Sequence, residues 1–141
     1  MKKFEAIFGV KETTIKKFCV LLPILPGDFL KHFRLEKLEN GSLYRTGNAR
    51  HFTMVQTGIN AGLTGDAVLY LAEAGCESIL LFGSCGLVSS NNNLSIGDLV
   101  IVNECMAFES FSETIAGVFD EKIYLPDEGL TKSISIRHNI P

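Results

Sequence analysis

Apolar residues along the chain fall into short runs separated by turn-forming residues, and their spacing changes from segment to segment. Phe18-Cys19-Val20-Leu21-Leu22 is continuous, which fits a strand buried on both faces of a sheet. Pro26-Gly27-Asp28 breaks the chain after it, and a short helix is predicted from Phe29 to about Leu38. Asn40-Gly41 marks a turn. Ser42 to Thr46 and Arg50 to Gln56 read as two strands around Gly47-Asn48, residues that tolerate positive φ and suit a tight hairpin. Ala67, Val68, Leu71 and Gly75 then lie on one face at helical spacing, so a helix is expected to begin between Asn60 and Thr64. Asn60 or Thr64 supplies its cap. Asp66 complements the positive end of its dipole, and Gly75 suits the left-handed residue that ends many helices. Leu69, Tyr70 and Ala72 widen the apolar surface, which predicts heavy burial.

Ser78-Ile79-Leu80-Leu81-Phe82 reads as a second buried strand, stopping at Gly83-Ser84-Cys85-Gly86. Ser89 to Asn93 is polar and reads as a loop. Ile96-Gly97-Asp98 then leads into Leu99-Val100-Ile101-Val102, a further strand. Strand, helix and strand with short connections make a βαβ unit, and the fold class that follows is α/β, a mixed but mostly parallel sheet flanked by helices. Beyond Asn103 the pattern weakens. Pro126-Asp127-Glu128 opens a last helix carrying Leu130, Ile134 and Arg137. It starts to bury a face and then ends, so the fold reads as incomplete. With 141 residues, a single domain over 1–141 is expected.

Composition narrows the function classes. Hydrophobic residues make up 46% and charged residues 21%, enough apolar material for a real core. The formal net charge is −3 and no basic face is visible, which argues against a nucleic-acid partner. Phe18 to Leu25 is the longest apolar stretch and prolines 23 and 26 interrupt it, so no membrane span or signal peptide is expected and the location inferred is cytoplasmic. Cys19, Cys76, Cys85 and Cys105 have no C-x-x-C spacing and are expected as reduced thiols. His32, His51 and His138 form no metal-ligand pattern, so neither metal nor cofactor is expected.

The chemistry is concentrated in turns. In open α/β sheets ligands bind beyond the carboxyl ends of strands. Pro26-Gly27-Asp28, Gly58-Ile59-Asn60 and Gly83-Ser84-Cys85-Gly86 all fall there. Glycine lets a ligand approach the backbone, turn N–H groups attract anions, and the Ser84 hydroxyl can donate to a phosphate oxygen. Any one turn is better explained as a tight turn alone, but three at one sheet edge favour a site. The P-loop pattern is absent, and Gly58, Gly62 and Gly65 lack dinucleotide spacing.

The order of these motifs resembles the nucleoside phosphorylase superfamily, which includes purine nucleoside phosphorylases, uridine phosphorylases and nucleosidases. Pro26-Gly27-Asp28 is similar to its P-G-D turn and Thr57-Gly58-Ile59-Asn60 to its T-G-I-G turn. Gly83-Ser84-Cys85-Gly86 is similar to its G-[ST]-x-G turn. Ile96-Gly97-Asp98 and Glu109-Ser110-Phe111-Ser112 resemble its I-G-D and E-G-T-S segments. The likeness runs from about Cys19 to Ser112. It implies a homo-oligomeric enzyme that cleaves the N-glycosidic bond of a nucleoside, with inorganic phosphate as co-substrate attacking the ribose. The transition state would have oxocarbenium character. The resemblance assigns Gly27, Lys31 and Ser84 to phosphate and Ile59, Gly83, Cys85, Gly86 and Glu109 to the nucleoside. It assigns no catalytic residue.

Two departures qualify what the resemblance implies. The family's phosphorylases carry arginine where this chain has Lys31, which keeps the charge but loses the bidentate fork. They carry a second arginine at the position of Leu81. Arg34 and Arg45 are alternative sources of charge. Family members are also longer, and their ribose-binding Met-Glu segment and purine-protonating acid lie in the part absent here, leaving no identifiable general acid. Three readings follow: a phosphorylase, a nucleosidase using water, and a non-catalytic binding or assembly module.

Overall fold

The computed structural model describes residues 3–25, 28–35, 37–86, 94–107, 115 and 122–138. The chain divides into two compact units, Met1–Cys85 and Gly86–Pro141.

The first unit is built on β1 (Phe18–Leu22), β2 (Glu39–Asn40), β3 (Arg45–Asn48), β4 (Thr53–Gln56) and β5 (Ser78–Leu81), with helices α1 (Lys3–Phe8), α2 (Phe29–His32) and α3 (Ala61–Glu73). The five strands form one sheet in the order β2-β3-β4-β1-β5. β1 runs parallel to β4 and β5, whereas β3 is antiparallel to β2 and β4, so the sheet is mixed. The fold is α/β, as the sequence pattern implies.

β1 has the bounds its apolar run predicts, and its central position explains that run. Side chains alternate between faces along a strand. Cys19 and Leu21 enter one core with Phe4 and Phe8 of α1, Tyr44, Val55, and Ala67 and Leu71 of α3. Val20 and Leu22 enter a second core with Met54, Leu35 and Leu38. α1 escaped the sequence pattern, although Phe4 and Phe8 stand four apart and stack with ring centroids 4.3 Å apart.

α3 begins and ends where its capping residues lie. The Asn60 side chain accepts from the Leu63 N–H at 3.1 Å. Gly75 has φ +85° and Cys76 N–H returns to the Leu71 carbonyl at 2.9 Å, closing the last turn. Burial is narrower than the composition suggests. Ala67 and Leu71 are buried, but Val68 and Leu69 face outward.

Other expectations are corrected. The hairpin does not turn at Gly47-Asn48, which are strand residues; Ala49 N–H bonds the Phe52 carbonyl instead. Gly47 is needed for close packing, since a Cβ there would lie 2.6 Å from the Leu38 side chain. α2 stops at His32 and Arg34 takes φ +54°, so the chain leaves the helix well before Leu38. Among the described residues β5 is an edge strand and is not fully buried, with Leu81 56% exposed.

The second unit pairs β6 (Cys105–Ala107) with β7 (Lys122–Tyr124) in an antiparallel ribbon, followed by α4 (Glu128–His138). The last helix starts where Pro126-Asp127-Glu128 implies, with Asp127 Oδ1 accepting from Leu130 N–H at 2.7 Å. Leu99–Val102 is not a strand. Leu99, Val100 and Val102 are exposed and pair with no strand among the described residues, and apolar content without a paired neighbour does not define a strand. The predicted Ser89–Asn93 loop lies outside the described residues. Among the described residues no helix is long and apolar enough to cross a membrane.

Two consequences for stability are measurable. Thr46 is fully buried and its hydroxyl has no hydrogen-bond partner among the described residues. Thr46→Val keeps the shape and removes an unsatisfied group, so a gain of about 1 kcal/mol is expected in urea denaturation. Tyr44 is pushed up from 10.0 to about 12 by burial first, then by Asp66 and Tyr70. The phenol stays neutral in the fold and ionises more readily once unfolded. Its contribution is complete below pH 10 and is lost as pH rises towards about 12. Unfolding followed at several alkaline pH values is expected to show this loss, and Tyr44→Phe to flatten it.

Candidate functional site

The carboxyl ends of β1 and β5 lie side by side because the two strands are parallel neighbours. Two backbone bonds continue that alignment past the sheet. Thr57 N–H donates to the Leu22 carbonyl at 3.0 Å, and Phe82 N–H to the Leu21 carbonyl at 2.9 Å. The Thr57 hydroxyl is buried and bonds the Gly58 carbonyl at 3.1 Å and the Thr64 hydroxyl at 3.3 Å. Gly58 turns the chain with φ +78°, a conformation that favours glycine. The β4–α3 turn is therefore anchored at both ends, and Ile59 is left 78% exposed at its tip.

A concavity of about 350 Å³ opens between these turns. Leu22, Pro23 and Ile24 line it after β1, Ile59 after β4, and Phe82, Gly83 and Ser84 after β5. Its volume is at the small end of ordinary ligand sites. The lining is apolar apart from backbone groups and the Ser84 hydroxyl. No carboxylate, imidazole, ammonium or guanidinium is among the described lining residues. The arrangement can hold a flat apolar group against Ile59 and Phe82 and offer one hydroxyl beside it.

The sequence-derived candidates separate into groups. Ile59, Gly83 and Ser84 are brought together. Cys85 follows them and is exposed, but does not line the cavity. Lys31 is exposed and paired with Asp28 at 3.1 Å, so its charge is already partly compensated. It is not among the lining residues. Arg45 donates to Asn40 Oδ1 and Gln56 Oε1, both at 3.1 Å, on a strand separated from β1 by β4. Gly86 opens the second unit. Gly27 and Glu109 lie outside the described residues. Pro23, Ile24 and Phe82 were missed by motif reading. Their signal was position alone, since each lies within two residues of the end of a strand whose carboxyl end faces the site.

Comparison with known proteins gives this edge of the sheet a family. The model of the phosphorylase superfamily matches residues 25–136. The chain belongs to the phosphorylase superfamily. No curated protein matches the sequence significantly. Among solved structures, the chain is similar to the purine nucleoside phosphorylase from Toxoplasma gondii in complex with immucillin-H. The TM-score is 0.75 at 15% identity, covering 100% of this chain and 60% of that one. The likeness supports the superfamily fold. This superfamily member thus spans less than two thirds of the length of the structure it resembles.

The superfamily match includes the Gly83–Gly86 turn and both departures, Lys31 and Leu81. Among the described residues no group of three potential metal ligands occurs.

Proposed function

We propose that this superfamily member serves nucleoside phosphorolysis, cleaving an N-glycosidic bond to release free base and ribose 1-phosphate. The convergence of Ile59, Phe82, Gly83 and Ser84 on one concavity at the strand ends carries the reading. Ile59 and Phe82 supply apolar surface for the nucleoside. The Ser84 hydroxyl and the turn's N–H groups are offered to phosphate. The family resemblance further assigns Gly27 and Lys31 to phosphate and Cys85, Gly86 and Glu109 to the nucleoside, and the proposal carries these assignments over from the motifs alone. Such a site works by holding both reactants in line while positive charge develops on the sugar. The reaction needs phosphate and no other cofactor, and the enzyme is taken to be a cytoplasmic homo-oligomer of the salvage type.

The direct test is base release from purine and pyrimidine nucleosides, with and without phosphate, on the full-length protein. Release that depends on phosphate is the expected result, and no release from any nucleoside sinks the proposal.

A second reading, hydrolysis by water, is favoured by two observations. Leu81 stands where the family's phosphorylases carry arginine, and Lys31 is occupied by Asp28. Rates independent of phosphate would select it. Leu81→Arg tests the same point from the other side. The position is 56% exposed, so the larger side chain fits. An exposed charge pair contributes up to about 1 kcal/mol, so the phosphate KM is expected to fall roughly fivefold. An unchanged phosphate KM would tell against phosphorolysis.

A further inference from the structure

Two of the chain's cysteines meet at the far end of the same parallel strand pair. Cys19 lies near the start of β1 and is completely buried. Cys76 lies two residues before β5 and is partly exposed. The backbone brings them together. Lys17, immediately before β1, accepts at its carbonyl from Glu77 N–H at 2.7 Å and Ser78 N–H at 3.0 Å. The thiols hang on consecutive carbonyls of that segment. Cys19 Sγ donates to the Lys16 carbonyl at 3.5 Å, and Cys76 Sγ lies within reach of the Lys17 carbonyl at 3.5 Å and of the Ser78 carbonyl at 3.3 Å. Cys76 also packs on the core cluster that contains Cys19. The other two cysteines are exposed and lie one in each unit, Cys85 in the first and Cys105 in the second.

We propose that Cys19 and Cys76 are a paired redox site that closes to a disulfide when the protein meets a low-molecular-weight disulfide. The partly exposed Cys76 reacts first. Its thiolate attacks the small disulfide, forming a protein mixed disulfide and releasing one small thiol. Cys19 then loses its proton and attacks the Cys76 sulfur, and the second small thiol leaves. Two protein thiols are oxidised, one small disulfide is reduced, and both protons depart on the released thiols. Burial, reinforced by the Cys76 thiol, pushes the Cys19 thiol up, which makes the second step the slow one at neutral pH. The weak S–H contacts to the Lys16, Lys17 and Ser78 carbonyls are given up, while the main-chain bonds of Glu77 and Ser78 to Lys17 remain. The cross-link ties together the starts of the two strands whose ends line the concavity. It also closes the long chain segment between them, which lowers the entropy of the unfolded state.

The inference does not depend on the proposed reaction, and the test needs no substrate. The folded 141-residue chain is treated with oxidised glutathione, then alkylated, and followed by intact mass and peptide mapping. Whatever mixed disulfides form at the exposed Cys85 and Cys105, the expected product contains a Cys19–Cys76 cross-linked peptide two hydrogens lighter than its reduced parts, melts at a higher temperature and reverts with dithiothreitol. Cys19→Ser is expected to stop at a stable glutathione adduct on Cys76. Cys76→Ser is expected to leave Cys19 reduced. A folded protein that leaves Cys19 and Cys76 as thiols overturns the proposal. So does a persistent Cys76 adduct in the unmutated chain, or a cross-link seen only in guanidinium.

Discussion

Gly41→Ala is expected to lower the stability of the first unit by roughly 3–5 kcal/mol, among the largest effects of a single methyl group in this chain. The cause is the way α1 is clamped to the turn after β2. The Ile7 carbonyl accepts from Leu43 N–H at 3.3 Å and Tyr44 N–H at 3.1 Å, and the Ala6 carbonyl from Ser42 N–H at 2.8 Å. The turn is itself closed by Gly41 N–H to the Tyr44 carbonyl at 2.8 Å. Main chain meets main chain with no room for a side chain. A Cβ on Gly41 would lie 2.0 Å from the Ile7 oxygen and 2.7 Å from the Gly9 nitrogen. Neither neighbour is the movable end of a side chain, so the turn must lift away. Lifting it removes those three bonds and pulls Tyr44 from Phe8, whose ring centroid is 4.6 Å away. Urea denaturation should register a midpoint shift on the order of 2 M, given a slope near 1–2 kcal/mol per molar for a small unit. Gly86→Ala is the control, because a Cβ there meets nothing within 4 Å and no shift beyond about 0.5 kcal/mol is expected. Equal midpoints for the two variants would refute the clamp.

The same clamp marks where sequence reasoning stops. Asn40-Gly41 was legible as a turn, since turn residues act through local backbone preference. That α1 docks on it was not, because the contact joins main-chain atoms that carry no compositional signal. β1 and the ends of α3 were legible for the opposite reason. The β1 run reflects burial on both faces, and Asn60 and Gly75 each do local work at a helix end. Gly47 misled because glycine serves two purposes. Its role here is clearance for Leu38 and not conformational freedom. Leu99–Val102 misled because a strand is defined by its partner, and β propensity reports how well a side chain suits a paired surface.

The candidate site was half legible in the same sense. Gly58-Ile59 and Gly83-Ser84 could be placed at strand ends from the turn chemistry, and Ile59, Gly83 and Ser84 border one concavity. Its apolar walls could not be read, since Pro23, Ile24 and Phe82 look like any residues that follow a strand. Lys31 had the right charge but the wrong company. Its ion pair with Asp28 is an i,i+3 contact that any exposed turn can form, and charge counting along a sequence does not reveal it. That pairing concentrates the expected burden of phosphate recognition on the turn after β5.

Ser84→Ala is therefore expected to have the largest effect on the proposed reaction. Ser84 offers the one side-chain hydroxyl among the described lining residues, and no cation stands beside it there. A hydrogen bond to a charged ligand contributes about 1.5–3 kcal/mol, which corresponds to roughly a 10- to 100-fold loss in kcat/KM for phosphate. The loss should appear in the phosphate KM, with the nucleoside KM little changed, because Ile59 and Phe82 remain to hold the nucleoside. Stability should hardly move, since the residue is exposed and its removal opens no cavity. Steady-state rates with phosphate and nucleoside varied independently measure both constants. Ser84→Thr keeps a hydroxyl and is expected to recover part of the loss, which a merely structural role would not require. If phosphate is consumed by Ser84→Ala at the unmutated rate, phosphate is not bound at this turn. If instead every variant releases base equally well without phosphate, the apolar pocket with its single hydroxyl serves water, and Leu81 is then the residue that records the change of chemistry.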